Sequence, residues 1–242
     1  AGWGHADSVR RLLAMRADPR AAASERQSQR VAAGFGFAEE FLAGCAALHA
    51  AALAGNAEAI DTLLACGPGV DSITDGGQTP LHFASTSSGH ADAAKLLLAR
   101  GAAVDAVDLQ GFTALSFAAG ARGATSAVAE LLLAHQAAVD VADNETYTPL
   151  HFAAGYGQCA VLKTLLAHRA AVEIANDDGA TPLHEAADFG HSAAAEVLLA
   201  HQAAVDSVME HNRTPLHIAA MKGHSTVAEV FLMHEAAMDA AD

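Results

Sequence analysis

The tetrapeptide TPLH occurs at 79–82, 148–151, 181–184 and 214–217, and two degenerate copies, AALH at 46–49 and TALS at 113–116, keep its register. The shared Leu falls at 48, 81, 115, 150, 183 and 216, in steps of 33, 34, 35, 33 and 33. Gly-His or Gly-x follows seven or eight residues later, a Leu-Leu pair or close variant 15 to 18 residues later, and then an Ala-Ala-Val-Asp-like segment. A unit this short cannot bury its own apolar face. Stability must come from stacking each unit on its neighbours.

Each copy reads as two helices. Thr caps the orphan N–H groups of the first, and Pro at its first position gives up no donor that the helix needs. Leu183, Ala186 and Ala187 then form a narrow apolar face, small enough for neighbouring units to approach closely. Gly190 ends that helix, and Ala193 to Ala200 forms the second, with Val197, Leu198 and Leu199 placed for burial. The T-P-L-H-x-A signature at this period resembles the ankyrin repeat family. The resemblance runs almost unbroken over residues 44–242. It implies an all-α solenoid of stacked helix-turn-helix units with projecting β-hairpin or loop fingers.

The register divides the chain into a partial unit over 1–18, an insertion over 19–43, and units over 44–76, 77–110, 111–145, 146–178, 179–211 and 212–242. The unit over 111–145 diverges most: TALS loses both Pro and His, and GARGATS adds two residues at the helix turn. The family usually places Gly after the second helix. Gly67 and Gly101 keep it, but Gln136, Arg169, Gln202 and Glu235 replace it, at about 1–2 kcal/mol each if the backbone stays left-handed. The insertion carries Phe35, Phe37 and Phe41, read either as packing on the stack or as docking a partner. Neither end carries a polar capping unit, so the chain reads as a window on a longer array or as one with covered ends.

HEAADFGH, 184–191, looks at first like a metal site, since His184, Asp188 and His191 would share a face of one continuous helix. The repeat overturns that reading. Of fourteen His, five occupy the TPLH position, four follow the Gly between helices and four follow the Leu-Leu pair, leaving only His211. At the places of Glu185 and Asp188, other units carry Phe152 and Gly155, or Ile218 and Met221. No metal, cofactor or catalytic residue is expected. Gly120 to Gly123 lacks the Lys-Ser/Thr of a phosphate loop, and Cys45, Cys66 and Cys159 fall at unrelated positions.

The net charge of −15 argues against a nucleic-acid partner. Residues 1–45 hold six Arg against five acidic residues, whereas 46–242 hold seven basic against 23 acidic, favouring basic protein partners. No apolar run is long enough to span a membrane, and three scattered Cys suggest free thiols inside a cell, so an intracellular, soluble chain is expected.

The family resemblance implies that partners bind the finger tips and the exposed side of the first helices. Mapped onto this sequence, the candidate partner-binding residues on the fingers are Leu109, Phe112, Tyr147, Asp177, Asp178, His211 and Arg213. Those at the ends of first helices are Tyr156, Asp188, Phe189 and Met221. Leu109, Phe112, Tyr147, Tyr156 and Phe189 are large residues at positions expected to be exposed, and aromatic anchors in an acidic rim suit a binding hot spot. The reading is a non-catalytic protein-interaction scaffold. Its alternatives are an accessory subunit of a large assembly, or the targeting arm of an enzyme whose catalytic domain lies elsewhere.

Overall fold

The computed structural model describes residues 47–67, 69–121 and 125–234. The expected partial unit over 1–18, the Phe-bearing insertion over 19–43, Cys45 and Glu235 lie outside the described residues. Among the described residues twelve α-helices follow in chain order: α1 Ala47–Leu53, α2 Ala57–Ala65, α3 Pro80–Ala84, α4 Ala91–Ala99, α5 Ala114–Gly120, α6 Ala127–Ala134, α7 Pro149–Gly155, α8 Cys159–Ala167, α9 Pro182–Asp188, α10 Ser192–Ala200, α11 Pro215–Lys222 and α12 Ser225–Met233. Odd-numbered helices pack on one another in one row, even-numbered helices in a second, and each pair packs together. A single apolar core runs between the rows.

TPLH works as a capping box with His in the place usually held by Glu. Thr181 is the extended N-cap of α9, and its N–H donates to Nδ1 of His184 at 3.2 Å. Because Nδ1 accepts, the ring proton sits on Nε2, which donates to the Arg213 carbonyl of the next unit at 3.1 Å. His82 reaches the Phe112 carbonyl and His151 the Ala180 carbonyl in the same way. In these three units the histidine is therefore a cap and an inter-unit staple in one side chain. His49 lacks Thr three residues before it, and its buried Nδ1 has no hydrogen-bond partner among the described residues. Ser116 keeps the cap with Thr113, but is too short for the staple.

A second staple uses the Val-Asp segment. Asp71 accepts from the Ala103 N–H at 3.0 Å, Asp105 from Ala138 at 2.9 Å, Asp140 from Ala171 at 3.2 Å, and Glu173 from Ala204 at 2.9 Å. Part of the chain's acidity is thus consumed by the stack.

The even-numbered helices α4, α6, α8 and α10 end in a Schellman-type closure, as in Ala137 N–H to Leu132 and Gln136 N–H to Leu133. Gln136, Arg169 and Gln202 do adopt the left-handed backbone there, at φ of 66°, 65° and 68°. The hydrogen-bonded closure holds each non-glycine residue in that strained region.

Fingers are tight turns rather than extended hairpins. An isolated bridge pairs Val107 with Thr113, and no strand forms among the described residues. Asp108 Oδ1 accepts from the N–H groups of Gln110 and Phe112, and Asp143 and Asn176 do the same in their turns. One backbone bond then links each tip to the last: Leu109 to Gly76, Asn144 to Gln110, Asp177 to Glu145, and Glu210 to Asp178. The tips therefore form one connected edge beside the first-helix row.

Candidate interaction surface

Two columns of side chains line the finger and first-helix face. The finger bases carry Gln78, Phe112, Tyr147, Ala180 and Arg213, and the positions two beyond the repeat Leu carry Phe83, Phe117, Phe152, Glu185 and Ile218. Their aromatic members interlock. Phe112 meets Phe117 and Phe152 edge-on at 5.9 and 5.4 Å, Tyr147 stacks on Phe152 at 5.7 Å, and His82 and His151 close the ends. This packing corrects the expectation that Phe112 and Tyr147 stand exposed: both are half-buried in a wall built from two adjacent units. Phe117 and Phe152 belong to that wall and were not singled out from sequence. The repeat register was the available signal, because both lie one residue past the TPLH position.

Leu109, Tyr156, Phe189 and Met221 are more than half exposed. Tyr156 and Phe189 end their helices by lying across the preceding unit. A Cβ built on Gly120 would sit 3.3 Å from the Tyr156 ring, and one on Gly155 would sit 3.5 Å from Phe189. Lys222 takes the same position one unit later, and its Nζ pairs with Asp188 at 2.8 Å. Asp188, expected as a rim acid, is thus half-buried and already paired.

Asp177 and Asp178 are exposed on their finger, and Asp177 also accepts from Thr146 Oγ1 at 2.9 Å. His211 is exposed, in a tip where both it and Asn212 are left-handed. Arg213 turns back, its Nε donating to the Glu210 carbonyl at 3.2 Å. Ala180 and Gln78, at the bases of their fingers, are buried.

The HEAADFGH segment separates into different tasks. Both nitrogens of His184 are engaged as described above, and burial holds the ring neutral by lowering its pKa. Gly190, at φ 78°, breaks the helix, and His191 packs over Gly157 of the preceding unit. Glu185 remains on the finger and first-helix face, with Oε2 placed 3.6 Å from a Cβ built on Gly155. Burial and the charges of Asp188 and Asp178 push its pKa up to about 7. Among the described residues no group of three or more His, Cys, Asp and Glu could hold a metal ion, and no helix is long and apolar enough to cross a membrane.

Compared with known families, the chain matches ankyrin repeats in three overlapping copies, over residues 1–108, 89–176 and 155–242. It belongs to the ankyrin repeat family. Ankyrin repeats are generally protein–protein interaction modules and typically non-catalytic. No curated protein matches the chain.

Proposed function

We propose that this ankyrin array is a non-catalytic scaffold that binds a partner protein across its concave finger and first-helix surface. One observation carries the reading. Leu109 on its finger, and Tyr156, Phe189 and Met221 at the ends of the first helices, stay more than half exposed even though Tyr156 and Phe189 rest on the preceding unit. Exposed apolar and aromatic groups of this kind lose water on docking and act as anchors. Asp177, Asp178, His211 and Arg213 form the polar edge around them. The carboxylates among them favour a basic partner, in keeping with 23 acidic against seven basic residues over 46–242.

The test is affinity purification of the intact protein at low salt, beside a variant carrying Leu109→Ser, Tyr156→Ser and Met221→Ser. A companion lost only from the variant supports the reading. Companions retained at full yield refute it, and direct attention to the 19–43 insertion and to membership of a larger assembly.

A further inference from the structure

The aromatic wall stops abruptly at the fifth unit. Where Tyr147 stands, the next finger base has Ala180, and where Phe152 stands, the next helix has Glu185. A ring is thereby replaced by a carboxylate and its neighbour by a methyl group. Gly155 lets the Glu185 carboxylate and the Phe189 ring settle side by side on the α7 backbone. The carboxylate has no hydrogen-bond or ion-pair partner among the described residues, although Asp178 and Asp188 stand close enough to repel it. Lys222, the cation one unit on, is held by Asp188. The site therefore joins an exposed aromatic face to an unpaired carboxyl group in acidic surroundings, with part of its water already removed.

We propose that this site seats an arginine side chain from an extended segment of the partner protein, with its guanidinium paired to Glu185 and Asp178 and lying on the Phe189 ring. The proposal rests on the protein-binding reading above and names the chemistry of the partner. A planar guanidinium meets carboxylates through a fork of donors and stacks on a ring at little desolvation cost, whereas an ammonium is a compact, strongly hydrated point charge. The excess of acid over base in the array adds long-range attraction for a basic segment. Restoring charge to a carboxylate that burial has discouraged from ionising gives the cation a task that no neutral ligand performs.

The test is fluorescence polarisation with labelled nonapeptide pools, neutral and mixed at the flanks, with Arg, Lys, citrulline or Glu fixed at the centre. Each pool is titrated against the full chain, Glu185→Gln and Gly155→Leu, with far-UV circular dichroism confirming that each variant is folded. The Arg pool is expected to bind roughly tenfold or more tighter than the citrulline pool. That preference should disappear in Glu185→Gln, and in Gly155→Leu, where a side chain lifts the carboxylate and ring apart without changing charge. Equal binding of Arg and citrulline, a Lys pool that outbinds Arg, or an Arg preference kept by Glu185→Gln would each overturn the proposal.

A native companion provides the second arm. If it is retained by Glu185→Gln but lost with the Leu109, Tyr156 and Met221 substitutions, the arginine site fails and the wider surface stands. If both variants retain it, both readings fail.

Discussion

Glu185→Gln removes one negative charge with almost no change of shape, and its effect on stability has a sign fixed by the structure. The folded carboxyl titrates at about 7 instead of the ordinary 4.5. Between those values the folded chain keeps a proton that the unfolded chain has released, so stability falls as pH rises through the window. Above it, the folded state carries the whole cost of an ionised, half-buried carboxylate. Taken at face value the shift corresponds to about 3 kcal/mol. The side chain still touches water, and screening reduces the figure to about 1–2 kcal/mol. Glutamine escapes the cost. The variant is expected to be more stable than its parent by about 1–2 kcal/mol at pH 8 and by only a fraction of that at pH 5. Urea unfolding followed by circular dichroism at the two pH values measures the gap. A gap independent of pH, or a variant less stable at pH 8, would show that Glu185 has a favourable partner in the free protein.

Other outcomes follow from the same geometry. Replacing Gln136, Arg169 and Gln202 by Gly relieves the left-handed strain while adding glycine's own entropy cost. Each should gain about 0.5–1 kcal/mol in urea unfolding, and no gain would mean the closures are unstrained. The buried rings of His49, His82, His151 and His184 all have lowered pKa values, with His151 at about 4. Their contribution is complete above the unfolded value of 6.5 and declines as pH falls below it, for His151 down to about 4, so His151→Gln should flatten the acid limb of the stability curve. Hydrogen exchange should find α5 and α6 the least protected pair among α3 to α10, because Ser116 makes no staple; protection equal to that of α7 to α10 would remove the staple from the argument.

The sequence by itself determined the stack. A 33-residue register of Thr-Pro-Leu-His, Gly and Leu-Leu admits two helices per unit and no independent core. The same register sorted the histidines into structural positions, and flagged the three non-glycine residues that proved left-handed. The exposure of Leu109, Tyr156 and Phe189 was also legible, because it follows from position within one unit. Only the tertiary structure decided what lies between units. Phe112 and Tyr147 are half-buried because their rings meet Phe117 and Phe152, and the chain pattern states where a side chain starts but not which neighbouring ring covers it. Asp188 and Asp105 carry the same charge, yet one pairs with Lys222 and the other caps a backbone N–H. Glu185 shows the limit most plainly. Its segment read as scaffold, and for the histidines that is so, but the carboxylate acquires its character from its burial beside Gly155 and Phe189 and from the charges of Asp188 and Asp178, which come from two neighbouring units. Burial and charge depend on distances in space, and those were set only when the units stacked.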